Sequence, residues 1–422
     1  MLTDFFNDYA HEFIELEETV EMITLKAEQI DLALQLSQSE PNQKWSVYLN
    51  KLAQFGFENW LQKREPLLQI STPISTPSLE NICQLQVGEF KVCLIPTNSF
   101  SESEIIIPRA ILDLPEFAAH FYVPVGVAED IELIGILGFI PYNQLAENQT
   151  QLYPLIDWTY AIPREWFNPE TDELLLNLQC LAPSAIPLPA IPESRQAELN
   201  AVKTQLETLL PQAKNRPLWQ VLNWNQAKAI LTHSSLLNWF KNAQPSIAIS
   251  ELLQLLTQPT IEVGMWLQNQ LDEVSQNLVW QPLSIPVMRG FLTTAAPSTS
   301  SVIELEDILN QLQDQYQIQI PLEAACRREN LPNDIQLYAI TWRRPHQEWA
   351  LLLIATTSSE TVYQTTMQWR ISDETQVLIE RKLYPELGQT YLFTQIVGDI
   401  GEKFLVNLMI DRHPEITRVF QF

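Results

Sequence analysis

The stretch Ile82-Cys83-Gln84-Leu85-Gln86-Val87-Gly88-Glu89-Phe90-Lys91-Val92-Cys93-Leu94-Ile95 decides how the first part of the chain is read. Two runs of strand-forming residues flank Gly88-Glu89, and Gly-X is the loop of a two-residue type II′ hairpin. That loop sets Val87 opposite Phe90, Leu85 opposite Val92 and Cys83 opposite Leu94, all on one apolar face. Cys93 then faces Gln84 on the other side. Side chains alternate across a strand, so the two thiols point apart and no disulfide joins them.

Upstream of the hairpin, Phe5, Phe6, Tyr9, Phe13 and Ile14 suggest a short amphipathic helix. Leu25 to Leu36 suggests a second, capped by Thr24. Trp45 to Leu61 has apolar residues at helical spacing. Downstream, Ile105–Ile107 reads as a strand. Phe121, Val123, Val125 and Val127 alternate on one face, which Ile131, Leu133, Leu137 and Phe139 continue beyond an Ala128-Glu129-Asp130 turn. Ile134, Ile136 and Ile140 fall on the other face, so this pair is expected to be covered on both sides.

The expected fold is α+β. Residues 1–160 form N-terminal helices on an antiparallel sheet. Residues 161–194 form a linker, stiffened by Pro183, Pro187, Pro189 and Pro192. Residues 195–300 form a helical connector, whose last helix runs from Val263 to Leu278 and holds Trp266 in its core face. Residues 301–422 form an antiparallel β-sandwich, with seven strands read at Ile335–Trp342, Trp349–Ala355, Thr361–Ile371, Gln376–Leu383, Thr390–Val397, Lys403–Ile410 and Ile416–Phe422 between short polar turns. Gly398-Asp399-Ile400-Gly401 is expected to be a hairpin turn. In the Gln-rich stretch 310–320, Tyr316, Ile318 and Ile320 alternate as in an edge strand.

The 422 residues carry 51 acidic and 25 basic side chains, a net charge of −26. From Arg327 onward there are 12 acids and 10 bases, so the preceding 326 residues hold a net of −24. Too little positive charge is present to neutralise a phosphate backbone or an anionic bilayer, which argues against nucleic-acid and membrane partners. No run approaches a membrane span and no basic, apolar leader opens the chain, so a cytoplasmic location is expected. The ten glycines compose no phosphate-binding loop. The five histidines are at least 67 residues apart, and no metal or other cofactor is expected. Cys83, Cys93 and Cys180 sit in apolar, strand-like surroundings. Cys326 precedes Arg327 and Arg328, which would lower its pKa if they lay near the thiolate; the reading adopted is a partly buried thiol beside solvated arginines.

Two surface groups are candidate partner contacts. Glu15, Glu17, Glu18 and Glu21 form the densest acidic cluster, set in 25 residues with no Lys or Arg. Trp342, Arg343, Arg344 and His346, followed by Trp349, form a basic-aromatic group at a tight turn.

Three stretches resemble a cyanobacterial family of uncharacterised proteins, known as a domain of unknown function. They are Tyr48–Ala53 with Trp60-Leu61, Leu137–Pro141, and Val263–Gln268 together with Gly398–Phe404. The resemblance spans most of the chain and brings no catalytic residue. It implies a regulatory setting, because genes of that family neighbour those for CHAT caspase-like and sigma-factor-like proteins. The expected function is a non-enzymatic protein that docks a basic protein partner through its acidic surface. A small-ligand sensor, and an enzyme whose site is assembled only by the fold, stand as alternatives.

Overall fold

In the computed structural model the described residues are 20–38, 44–71, 82–128, 132–214, 216–242, 244–283, 300–332, 334–345, 348–357, 366–384, 389–410 and 415–422. The suggested helix at Phe5–Ile14, the turn residues Glu129 and Asp130 with Ile131 after them, and residues 361–365 of the strand read at Thr361–Ile371 lie outside them. The chain combines helices with several sheets and divides into two compact units, 1–198 with 215–237, and 199–214 with 238–422.

The first unit is built on a mixed sheet. Its strands are β1 (Glu21–Thr24), β2 (Ile70–Ser71), β3 (Cys83–Val87), β4 (Phe90–Thr97), β6 (Phe121–Ala128), β7 (Leu133–Ile136) and β8 (Ile140–Pro141), in the order β1-β7-β6-β4-β3-β2 with β8 also on β6. The β3–β4 hairpin has the register read from its loop, with Cys83 opposite Leu94 and Gln84 opposite Cys93. Gly88 has φ +55° while Glu89 keeps an ordinary negative φ, as a type II′ turn requires. All four cysteines are free.

Two readings need correction here. The sheet is not purely antiparallel, because β4 and β6 run parallel. The chain between them holds β5 (Glu104–Pro108), which pairs with β9 (Thr159–Pro163) in a separate two-stranded sheet. The faces of the β6–β7 pair are also inverted. Val125 pairs with Ile136 and Val127 with Ile134, so these isoleucines share the valines' face, and Leu133 lies opposite Ala128. The ladder closes at Ala128 and Leu133, which puts Val125 opposite Ile136 where the assumed turn would put Leu133; the pairing is shifted by three residues, and any odd slip exchanges the faces of a strand.

The helix α1 (Ala27–Ser37) begins after Lys26, two residues beyond the expected Thr24 cap, because Thr24 is the last residue of β1. The helix α2 (Lys44–Arg64) carries the first core. Its Leu49, Leu52, Ala53, Phe57, Trp60 and Leu61 repeat at the three- and four-residue steps of one helix face. They join Leu85, Val92, Val123, Val125, Ile134 and Ile136 in one cluster. Fully burying each large side chain contributes roughly 1.5–3 kcal/mol. Lys63 and Arg64 close the last turn, where positive charge suits the helix dipole. The opposite face of β6 and β7 is covered by Val20, Phe100 and Leu137. There Gly126 pairs with Gly135, and the Phe100 ring lies over both. After α3 (Ala110–Asp113) and α4 (Tyr142–Glu147), the helix α5 (Thr171–Cys180) falls within the stretch read as linker. It adds Leu174, Leu175 and Leu178 to the core, as does Ile186 among the prolines. Cys180 ends this helix and is exposed, in place of the apolar strand expected for it. The unit also includes α6 (Trp224–Leu231).

The second unit has two five-stranded sheets. One orders β10-β19-β18-β15-β16, the other β11-β12-β13-β14-β17. The strands are β10 (Thr260–Glu262), β11 (Gln281–Leu283), β12 (Ala325–Leu331), β13 (Ile335–Arg343), β14 (Trp349–Thr357), β15 (Met367–Ser372), β16 (Val377–Lys382), β17 (Tyr391–Gly398), β18 (Lys403–Ile410) and β19 (Ile416–Gln421). Seven of these were legible as strands in the sequence. β10, β11 and β12 were not; β10 and β11 come from the region read as helical, and β10 pairs with β19 in parallel. Leu337, Leu351 and Leu353 from one sheet share a core with Trp369, Phe404, Val406 and Phe420 from the other. Trp266 is in that core, 1% exposed. The helix α7 (Ile249–Thr257) places Leu255 against Leu405 and Val419.

The expected helix Val263–Leu278 is broken. It comprises α8 (Val263–Trp266) and a separate turn at Glu273–Asn277, with Asn269 at φ +59° between them and Asp272 capping the Ser275 N–H at 2.8 Å. The Gln-rich stretch expected as an edge strand lies largely in the helix α9 (Ser300–Tyr316). Leu305, Ile308, Leu309 and Leu312 pack against Tyr338, Ile340 and Leu352, and Gln317 at φ +57° stops the helix. Gly398-Asp399-Ile400-Gly401 is not a hairpin turn, because β17 and β18 belong to different sheets. It carries the chain from one sheet to the other, with Gly401 at φ +91°.

His120 gives the first unit a pH dependence. It is 8% exposed, its Nδ1 accepts the Lys91 N–H at 2.8 Å, and burial, then the Lys91 charge, hold its pKa below the ordinary value. Burial likewise lowers His233. A depressed histidine keeps its stabilising effect above the unfolded pKa, near 6.5, and loses it as pH falls through that value, because the unfolded chain binds the proton first. His120→Asn keeps an acceptor near Nδ1 and removes the titration. Urea midpoints at about pH 7.5 and 5.5 should therefore differ less in the variant than in the parent, and an unchanged difference would contradict this assignment.

Candidate functional site

A cavity of about 430 Å³ opens in the first unit. Its walls come from the segment after β5, from α4 and the turn that follows, from Pro189, and from the first two turns of α6. Asn223 starts α6 with a capping box. Its Oδ1 accepts the Gln226 N–H at 3.0 Å and its own N–H donates to Gln226 Oε1 at 2.9 Å, which fixes the position of Trp224.

The polar centre is Asp113. Arg109 Nε donates to its Oδ2 at 2.6 Å, one helical turn away. Gln149 Nε2 and the Tyr160 hydroxyl each donate to its Oδ1 at 3.0 Å. The Arg109 guanidinium carbon lies 4.6 Å from the Trp224 ring centre and 5.9 Å from that of Tyr160, and Trp224 meets Trp158 edge to face at 5.7 Å. Burial, then the Asp113 charge, raises both Tyr142 and Tyr160, so their phenols stay protonated at neutral pH. Lys228 lines the cavity with no ionic partner among the described residues. Asp113 is thus largely spent on its own neighbours, while Lys228, the Arg109 Nη groups, the Tyr142 hydroxyl and the Asn225 amide remain to meet a bound molecule.

None of the candidate partner contacts singled out from the sequence lines this cavity. Glu15, Glu17, Glu18 and His346 lie outside the described residues. Glu21 accepts the Trp60 Nε1–H at 2.7 Å and Arg64 Nη1 at 2.8 Å, so it anchors β1 to α2. The basic-aromatic group is divided between the two faces of its sheet. Trp342 is 4% exposed and packs with Ile340 and Ile354, whereas Trp349 packs with the inter-sheet core and lies under Arg343 at 4.9 Å. Arg344 is exposed and pairs with Glu348 at 3.4 Å. Cys326 is also corrected: it is buried, and burial pushes its pKa up to about 12 against the pull of both arginines. Arg327 is itself 4% exposed and donates to the Cys326 carbonyl at 3.1 Å. The signals that pointed toward the cavity were faint: Arg109 and Asp113 at i,i+4, and a concentration of Trp after residue 157.

Among the described residues no group of three or more His, Cys, Asp or Glu could hold a metal ion, and no helix is long and apolar enough to cross a membrane. Fold and cavity together define a mixed α and β protein of two units, the first bearing a polar hollow of ligand size. The chain belongs to the family described as protein of unknown function (DUF1822), which it matches over residues 23–421. Comparison with curated proteins and with solved structures gave no match.

Proposed function

We propose that this is a non-enzymatic, cytoplasmic regulatory protein that docks a basic protein partner through the acidic surface of its first unit. The observation behind this reading is charge. The first unit holds 29 acidic and 11 basic residues, a net of −18. Several of its arginines are bound to its own acids: Arg64 to Glu21 and Asp172, Arg109 to Asp113, Arg195 to Glu116 and Glu198. Exposed Glu28, Asp31, Glu89, Glu104 and Glu165 remain to set the outer field. In this reading helices α1 and α2 lie on the first sheet, and the second unit is a β-sandwich.

Such docking is strongly screened. Captured from its native host at about 50 mM NaCl, the protein should bring down a partner of high isoelectric point. The affinity of that partner should fall about tenfold or more by about 300 mM. Association that ignores salt would count against the reading. A second reading, a small-ligand sensor, is favoured by the cavity of the first unit, whose volume lies in the range of ligand pockets.

A further inference from the structure

We infer that the cavity beside Arg109 binds a small organic anion, a carboxylate or a phosphate ester of metabolite size. The inference rests on the sensor reading and names its ligand class. The cavity presents two cations, Arg109 and Lys228, and one carboxylate. That carboxylate is spent: Asp113 takes one bond from Arg109 and two more from Gln149 and Tyr160. Arg109 uses only its Nε in this pair, and the Trp224 ring against its guanidinium holds the fork in place. Its two Nη groups, the Lys228 ammonium, the Tyr142 hydroxyl and the Asn225 amide are therefore mainly donors without acceptors of their own. A donor-rich wall of net positive charge selects an anion, and the guanidinium fork suits two oxygens of one carboxylate or phosphate. The setting sharpens the point, because this positive hollow belongs to a unit of net −18. At physiological salt the acidic field fades over about 8 Å, so the local cations decide what enters. A volume of about 430 Å³ leaves room for a polar body beyond the anionic group, which Asn225 and Gln149 can meet through their amides.

The test is isothermal titration of the full chain at about 50 mM NaCl with citrate, glucose 6-phosphate, glucose and inorganic phosphate. Citrate or glucose 6-phosphate should bind with a Kd of about 1 mM or tighter, and glucose should not bind. Which of the two anions binds separates carboxylate from phosphate ester; binding of inorganic phosphate alone would overturn the assignment to an organic anion. Lys228→Met should weaken the bound anion about tenfold or more, while Lys228→Arg stays within about threefold. Far-UV circular dichroism of both variants checks that they fold. Saturable binding of glucose as tight as that of its phosphate would keep a pocket ligand and overturn its charge. Absence of binding by all four probes, or an unchanged affinity in folded Lys228→Met, would overturn the inference.

Discussion

Arg418→Met should cost the second unit about 3 kcal/mol of unfolding free energy. Glu329 on β12 is 4% exposed, and Arg418 on β19 meets it with two nitrogens, one of them Nε to Oε2 at 3.1 Å. The pair crosses from one sheet to the other beside the shared core. Removing the arginine leaves a carboxylate with almost no water and no counter-charge, which is far worse than losing both groups. The double variant Glu329→Leu with Arg418→Met should accordingly return to within about 1 kcal/mol of the parent. Guanidinium denaturation followed by near-UV circular dichroism reads both. A single variant as stable as the parent would show that water reaches Glu329 after all.

Gly135→Val is the second large effect, with an expected loss of about 3 kcal/mol. A Cβ at residue 135 would stand 2.7 Å from both Phe100 Cε1 and Val20 Cγ1, and one at Gly126 only 2.5 Å from Phe100 Cδ1. The two glycines face each other across β6 and β7 and leave a slot one ring thick. Phe100→Ala should cost about 3 kcal/mol or more by emptying that slot. Combining it with Gly135→Val should cost at least about 1 kcal/mol less than the sum, because the new side chain fills part of the space the ring vacates. Simple additivity would mean that ring and glycines do not share one site.

These examples mark what could be read from residues alone. The hairpin at Gly88 was legible down to its pairs because a two-residue loop leaves one register. The β6–β7 faces were not, since a longer turn leaves the parity of the pairing open and Ile, Leu and Val satisfy either face. The strands from 335 onward were legible because polar turns separate them at short intervals. α9 was hidden because Tyr316, Ile318 and Ile320 imitate a strand just where the helix stops, while its buried leucines begin earlier. Sheet membership was out of reach at Gly398–Gly401: a turn carries no mark of whether the next strand returns beside its neighbour or joins a different sheet. The cavity was out of reach for the same kind of reason. Its walls lie more than a hundred residues apart in the chain, and its acid is one of 51. Only the fold says which acid matters.

The chain passes from the first unit to the second at Glu198, returns near residue 215, and leaves again after Leu237. On the ribosome this imposes an order of events. Trp224, Asn225 and Lys228 emerge only after the strip 199–214 of the other unit has been made, so the hollow lacks a wall until then. A gene truncated after codon 198 would encode every strand of the first unit and still leave its hollow one-sided.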